Sequence, residues 1–329
     1  MTKRATERRT LGRSGVEVTA LGLGTAPLGG MFSHVEDATA AAVVHAALAA
    51  GLTYVDTAPL YGHGIAERRI GAALAAAPVA DAGRTSFVLS TKVGRLIVDN
   101  PDGDSDGFVD APPSEAIYDY SPDAIRRSLD ESFDRLGLDS VDVVYIHDPD
   151  DHEEQALTVA YPVLHELRSQ GVVKAIGVGM NQSRIPTRFV LETEIDAVLL
   201  AGRYTLLDQT GAADVLPACL ERGVSIVIGG VYNSGLLADP RPGATFNYTT
   251  APPDLVARAQ ELGAVCARHD VPLKAAAIQY PLAHPAVASI LTGARTVAEL
   301  EENLAMIEYD VPEALWDDLA AVGAVRYGR

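Results

Sequence analysis

Little in this chain suits cross-linking, insertion into a bilayer or docking on a polyanion. Its two cysteines, Cys219 and Cys266, form no CxxC pair and no metal-ligand spacing. That excludes a disulfide framework and a thiolate metal site, and both read as free thiols in a reducing compartment. No segment approaches the ~18 consecutive apolar residues of a membrane helix. The charged stretch at residues 1–9 is not followed by the apolar core of a secretory signal, which points to the cytoplasm. Basic residues are outnumbered, 26 Lys and Arg against 44 Asp and Glu, for a formal net charge of −18. Such a surface argues against nucleic acid and anionic membranes as partners. One basic pocket on it can still take an anionic cofactor. Linkers, low-complexity tracts and breaks in composition are missing too. The 329 residues, 48% of them hydrophobic, therefore read as one domain over residues 1–329 with a large core.

What is present is alternation. Apolar runs of strand length alternate with helical patterns along the whole chain. A small hairpin is expected at residues 9–18, with Gly12 and Gly15 in its middle, and a first buried strand at 20–24. Asp37 caps an Ala-rich helix that stops at Gly51, with His45 as a packing residue. Strand 54–56 and helix 64–76 follow. Strand 87–92 leads through a long loop at 96–120 into a helix opened by Ser121 and Pro122 and ended by Gly137. Then come strand 141–146 with helix 153–170, strand 175–178 with helix 183–192, and strand 197–200 with helix 212–222. Strand 225–228 leads through a second long loop at 229–253 into helices 254–269 and 273–280. Strand 288–291 and helices 296–306 and 312–322 close the chain. In the helix after Pro122, Ile125, Leu129, Phe133 and Leu136 form one apolar stripe. The loop at 96–120 carries seven acidic residues, as a solvated loop or a cover over a site would.

Eight strands, each followed by a helix, match a (β/α)8 barrel with an N-terminal hairpin and extra C-terminal helices. A doubly wound open sheet is the alternative. It would ordinarily carry a glycine fingerprint for phosphate after its first strand. Here Gly22-Leu23-Gly24 is followed by Pro27 where the third glycine belongs.

In a barrel the C-terminal ends of neighbouring strands face one mouth. Asp56 ends the second strand and Tyr61 follows it, in Asp56-Thr57-Ala58-Pro59-Leu60-Tyr61-Gly62. Lys92 ends the third strand and His147 the fourth. Taken singly, each has a bland reading: Asp56 closes a turn, Tyr61 packs at the rim. Together they place a carboxylate, a phenol, an ammonium and an imidazole at one mouth. A lysine ending an apolar strand is costly to bury unpaired, and Asp56 on the next strand is a natural partner.

In this order on successive strands, Asp56, Tyr61, Lys92 and His147 resemble the catalytic tetrad of the aldo-keto reductase family. Residues 56–62, with Glu67 and Gly71 on the next helix, resemble that family's signature, and the likeness covers nearly the whole chain. It implies an NAD- or NADP-dependent oxidoreductase in which Tyr61 exchanges a proton with the substrate oxygen. Lys92 would lower the phenol's pKa, Asp56 would hold Lys92, and His147 would orient the substrate oxygen. It also implies cofactor contacts. Gly24 and Thr25 follow the first strand, and Met180 and Asn181 stand where the family has a Ser-Asn pair. Val231, Tyr232, Asn233, Ser234, Gly235 and Leu236 resemble the pyrophosphate loop. Gly293, Arg295, Thr296, Glu299, Glu302 and Asn303 resemble the adenosine-binding segment. Thr296 and Glu299 also make a capping box. Arg295 would meet a 2′-phosphate and Glu299 would repel one, which leaves NAD and NADP both open.

Two family positions depart from the usual pattern: Ala201 stands where a Gln is frequent, and Gly229 where an aromatic is expected. The segments around His147, Gly179, Gly202 and Val231 resemble the aldose dehydrogenase branch, which oxidises a cyclic hemiacetal carbon to a lactone. Its substrate is a small sugar or aldehyde, and Tyr120, Arg203 and Tyr204 are the expected substrate contacts. A general carbonyl reductase and a pyridoxal 4-dehydrogenase are the alternatives within the family. Outside it, His147, Asp148, Asp150, Asp151 and His152 are a cluster from which a metal-dependent barrel hydrolase could be built, but no second set completes it and no metal is expected. A catalytically silent binding subunit is a further alternative, against which an intact tetrad counts.

Overall fold

The computed structural model describes residues 4–76 and 83–328. Of the charged N-terminal stretch, residues 1–3 lie outside that range. Eight parallel strands close into a barrel: β1 (Leu21–Gly24), β2 (Tyr54–Asp56), β3 (Val88–Val93), β4 (Val143–His147), β5 (Ala175–Met180), β6 (Ala197–Ala201), β7 (Ser225–Gly229) and β8 (Val287–Gly293). The order around the barrel is the order in the chain, with β8 returning to pair with β1. Strands such as β4 are buried at every residue, as expected where helices cover one face and the barrel interior fills the other. Around the sheet run α1 (Asp37–Ala49), α2 (Ile65–Ala75), α3 (Pro122–Leu136), α4 (Tyr161–Ser169), α5 (Arg184–Glu192), α6 (Val215–Arg222), α7 (Pro253–Ala267), α8 (Leu273–Gln279), α9 (Val297–Glu308) and α10 (Glu313–Ala321).

The two ends of the barrel differ. The N-terminal hairpin pairs Arg8–Thr10 with Glu17–Thr19. It sits against the start of the strands: the Gly12 N–H donates to Ser225 Oγ and the Arg9 guanidinium to the Val287 carbonyl. Leu11, Val16 and Val18 there pack with Tyr54, Val143 and Val227 inside the barrel. Among the described residues that plug closes one end of the barrel, and the opposite end, where the strands finish, is open.

Four expectations change. Asp37 is the first residue of α1 and does not cap it; its carboxylate accepts from Arg69 at 2.7 Å. The segment at 96–120 is built on an antiparallel hairpin, Arg95–Asp99 against Ser114–Tyr118, with residues 100–113 between the two strands irregular. Its apolar residues Leu96, Ile97, Val98 and Ile117 are held in register by the ladder, a signal masked by the acidic residues between them. The helix expected at 153–170 is one turn, Glu153–Gln155, then a π-helical turn, Ala156–Ala160, then α4. Pro162 has no N–H to give the preceding turn, so the ladder widens there. The loop at 229–253 carries a two-stranded ribbon, Thr245–Phe246 with Thr249–Thr250.

Candidate active site

Strand register brings the four polar residues together. Asp56 lies beside Ser90, Lys92 beside Tyr145, and His147 beside Gly179, all near the strands' C-terminal ends. Tyr61 is set by the loop after β2. Gly62 has φ +63, and a Cβ on it would stand 2.3 Å from the Gly29 carbonyl oxygen, so only glycine allows this close approach. Behind β3, the Thr91 hydroxyl donates to Glu67 Oε1 at 2.7 Å, and Arg135 donates to Glu67 Oε2 at 2.6 Å. A Cβ on Gly71 would meet the Leu136 carbonyl oxygen at 2.3 Å, so α2 and α3 touch backbone to backbone there. The signature residues Glu67 and Gly71 thus fix the elements that carry the site.

Lys92 is 1% exposed and Asp56 2%. The Lys92 ammonium donates to Asp56 Oδ2 at 2.7 Å, to the Thr57 carbonyl at 2.8 Å and to Tyr61 Oη at 3.1 Å. An ammonium has three hydrogens, so its donors are fully used. Tyr61 Oη is therefore an acceptor from Lys92, and its own hydrogen is free to point into the cavity. His147 Nε2 lies 3.5 Å from Asp148 Oδ2. Its Nδ1 is buried without a hydrogen-bond partner.

Burial dominates the electrostatics. It pushes the Tyr61 phenol well above its ordinary value, helped by Asp56, Tyr248 and Asp148 and opposed by Arg95. This corrects the expectation of a lowered phenol: Lys92 is adjacent, but Asp56 offsets its charge. Burial also pushes His147 well below its ordinary value, with Lys92 and Arg95 adding to the effect, so the imidazole is neutral. Burial and the neighbouring Asp150 push the Asp148 carboxyl up to about 6 against the pull of Arg95 and Lys92.

Two joined hollows open at this mouth. The smaller, about 310 Å³, holds Tyr61, Lys92 and His147 with Arg95, Asp148 and Phe108. Arg95 donates to Asp148 Oδ2 at 3.0 Å and lies 4.7 Å from the Tyr118 ring centroid. The larger, about 490 Å³, runs from Gly24 and Thr25 past Val231, Tyr232, Ser234 and Gly235 to Gly293, Arg295, Glu299, Glu302 and Asn303. Met180 and Asn181 line the smaller hollow. Phe32 and Tyr248 line both and face each other at 6.1 Å between ring centroids.

Several expected contacts lie elsewhere. Tyr120 is fully buried and donates to the carbonyl of His147 at 2.7 Å, so it supports the strand end from behind. Tyr204 is buried against Tyr280 and His284. Arg203 is held by the Asn181 carbonyl, Asp208 and Asn247, and buttresses the wall without lining it. Asn233 turns inward to Thr205 and the Gly202 carbonyl, Leu236 is core, and Thr296 caps α9. The aspartates and His152 after His147 go to separate partners: Asp148 to Arg95, Asp150 to Gln182, His152 onto Tyr118. Among the described residues no group of three His, Cys, Asp or Glu is placed to hold a metal ion. Ser114, His63 and Asp106 form a chain of triad residue types, but Ser114 is buried and donates to the Pro112 carbonyl, so the chain fastens the hairpin.

Sequence reasoning misses Arg95, Phe32, Tyr248 and Lys274 as wall residues, and it reaches Asp148 through the segment resembling the aldose dehydrogenase branch and through the metal alternative, without a role in the wall. Phe32 lies in an irregular loop and Tyr248 in the two-residue turn of the ribbon, both with φ near +63. Arg95 begins the hairpin, just ahead of the segment whose acidic composition predicts a loop.

The larger hollow suits a dinucleotide. Thr292, whose buried hydroxyl has no protein partner, is one of its lining residues. Asn233, Ser234 and Gly235 have φ of +48, +56 and +99, and the Asn233 and Gly235 N–H groups donate to the Gly230 and Tyr232 carbonyls, so this left-handed run is a tight turn that shapes the wall. Lys274 and Arg295 supply cations at the far end.

The sequence matches the aldo/keto reductase family over residues 20–324. It is 43% identical over 316 residues to the D-threo-aldose 1-dehydrogenase of a Pseudomonas species, covering 93% of this chain and 94% of that one. It is 40% identical over 346 residues to the pyridoxal 4-dehydrogenase of Microbacterium luteolum, covering 98% and 99%. In three dimensions it resembles the holo form of an aldo-keto reductase from Bacillus halodurans, with TM-score 0.75, 24% identity and coverage of 98% and 99%. Among the described residues no helix is long and apolar enough to cross a membrane.

Proposed function

Because the chain belongs to the aldo/keto reductase family, we propose that it oxidises the anomeric carbon of a small aldose, in its cyclic hemiacetal form, to the lactone. It is an oxidoreductase acting on CH–OH groups. Enzymes of this family use a nicotinamide cofactor, which when bound takes up the hydride from the substrate carbon. The observation that carries the sugar reading is the Arg95–Asp148 pair in the same hollow as Tyr61 and His147. A guanidinium and a carboxylate side by side offer a donor and an acceptor to neighbouring hydroxyls, which a plain aldehyde would leave unused.

The chain's own residues divide the remaining work. Tyr61 takes the proton from the hemiacetal hydroxyl in oxidation and returns it to a carbonyl oxygen in reduction. Lys92 fixes the orientation of Tyr61 and stabilises its phenolate. Neutral His147 positions the reacting oxygen. Phe32 and Tyr248 keep water from the space where the two hollows meet. At the adenosine end Arg295 is tied to Glu299 at 2.9 Å and Lys274 to Glu302 at 2.6 Å. Burial acts to raise the Glu299 carboxyl, but its bonds to the Arg295 backbone and side chain hold it below the usual range. Both cations are thus already matched by carboxylates, which favours NAD over a 2′-phosphorylated cofactor.

The test is a screen of aldoses for reduction of NAD+ and NADP+, with hydroxylamine capture of the lactone product. Turnover of sugars bearing a hydroxyl beside the anomeric carbon is expected, with a marked loss for the 2-deoxy sugars. A second reading has its own support: Phe32, Phe108 and Tyr248 around the smaller hollow suit a flat ring, such as the hemiacetal of pyridoxal. Pyridoxal oxidised with a higher kcat/KM than every aldose would replace the sugar reading. Simple aldehydes reduced while neither is oxidised would leave a general carbonyl reductase.

A further inference from the structure

Three buried hydroxyls below the active site play no part in the chemistry described so far. Tyr145 Oη lies 3.0 Å from Tyr54 Oη. Tyr54 Oη lies 3.2 Å from Ser90 Oγ. Ser90 Oγ is 2.6 Å from Asp56 Oδ1, while Lys92 holds the other oxygen of that carboxylate. Tyr54, Ser90 and Tyr145 are all fully buried in the barrel interior. The hydrogens in this chain can be assigned from chemistry alone. A hydroxyl has one hydrogen, and a carboxylate paired with an ammonium has none to give. Ser90 is placed to donate to either Asp56 or Tyr54, but its one hydrogen goes to the nearer and charged acceptor, the carboxylate at 2.6 Å; Tyr54 then donates to Ser90 and Tyr145 to Tyr54, so three O–H dipoles point the same way.

From this we infer that Ser90, Tyr54 and Tyr145 form a polarised hydroxyl chain that positions the Asp56–Lys92 pair and, through it, sets the readiness of Tyr61 to take a proton. They are positioning residues, because none of them touches the reacting atoms. Donation by Ser90 spreads the negative charge of Asp56, so the carboxylate draws less on the Lys92 ammonium and more of that charge is felt at Tyr61. Each hydroxyl behind strengthens the donation of the one in front. Burial pushes the Tyr54 and Tyr145 phenols far up, Tyr54 with the help of Asp56, so both keep their hydrogens throughout the working pH range and act as fixed dipoles. The groups facing Tyr61 from the other elements, Asp56, Lys92, Arg95, His147, Asp148 and Tyr248, are unchanged by substitutions in the chain. This inference rests on the proposed role of Tyr61 as base.

The experiment compares Ser90→Ala, Tyr54→Phe and Tyr145→Phe with the native enzyme, measuring kcat and KM for oxidation across the alkaline range. Cofactor affinity by nicotinamide fluorescence and unfolding midpoints are measured alongside. A hydrogen bond to a charged group is worth about tenfold or more in an equilibrium. Ser90→Ala should lower kcat about tenfold with KM and cofactor affinity little changed, and move the alkaline rise upward by about one pH unit. Tyr54→Phe should give a smaller shift of the same sign and Tyr145→Phe the smallest, while Ser90→Thr, which keeps the donor, should restore the native profile. A role in packing alone predicts another pattern. Ser90→Ala and Tyr54→Phe each orphan one buried hydroxyl, so both would lose stability with the pH profile unmoved. That pattern, or a shift that does not diminish from Ser90 to Tyr145, overturns the inference. If the native enzyme shows no alkaline rise while Tyr61→Phe is inactive, the role of Tyr61 as base has failed instead.

Discussion

Removing the Lys92 ammonium is the perturbation whose consequences the structure specifies most fully. Lys92→Met keeps the length of the side chain and deletes the charge. Asp56 is then left with Ser90 as donor but without its ion-pair partner, and the Thr57 carbonyl loses a 2.8 Å hydrogen bond. The Lys92 and Asp56 side chains are 1% and 3% exposed, so water cannot stand in for the ammonium. Breaking a buried pair on one side costs roughly 3–5 kcal/mol, most of it from the carboxylate left behind. Lys92→Met should therefore lose about that much stability in urea unfolding at neutral pH. Adding Asp56→Asn removes the orphaned charge and should recover most of the loss. Activity should behave differently: neither variant can stabilise the Tyr61 phenolate, so the double variant should stay as slow as the single one. A loss below about 1 kcal/mol for Lys92→Met, or no recovery in the double variant, would show that the pair is not the buried unit described.

Further outcomes follow from the same geometry. Tyr61→Phe keeps the ring and removes the exchangeable proton, so turnover should fall about 10²-fold or more, with nicotinamide affinity unchanged by fluorescence titration. Because burial and Asp56 hold Tyr61 well above the ordinary phenol value of about 10, the phenolate that accepts the proton gains about tenfold per pH unit below that point. The rate of oxidation should then climb through the alkaline range without levelling near neutrality, as an initial-rate pH profile would show. Glu299→Gln releases Arg295 from a pair on a half-exposed surface and should raise the ratio of kcat/KM for NADP+ over NAD+ several-fold; an unchanged ratio would make Glu299 a helix cap alone.

Much of the site was legible without coordinates, and for a definite reason. A buried parallel strand is a short apolar run, so the polar residue that ends it marks the strand's C-terminal end. Asp56, Lys92 and His147 are marked in this way, and the barrel's alternation sends all three ends to one mouth. What composition and pattern could not supply were features made by residues far apart in the chain. The hairpin of Arg95–Asp99 with Ser114–Tyr118 is hidden because the acidic residues around its two short apolar runs dominate the segment. Tyr120 and Tyr204 lie in segments that run to or from the mouth of the barrel, yet packing turned both into the protein.

The sequence by itself determined the order of strands and helices, the open end of the barrel and the identity of the groups brought to it, because each depends on spacing within a single element. Tertiary structure decided how those groups are charged and aimed. The direction of the Tyr61 hydrogen follows from the three acceptors of Lys92, which lie at the end of the neighbouring strand and in the loop after it. The balance at Tyr61 follows from burial, which no single element contains. The pairing of Arg295 with Glu299 and of Lys274 with Glu302 depends on distances between side chains. Spacing along a chain fixes which groups can meet, while their hydrogen bonding and proton affinity depend on everything packed around them.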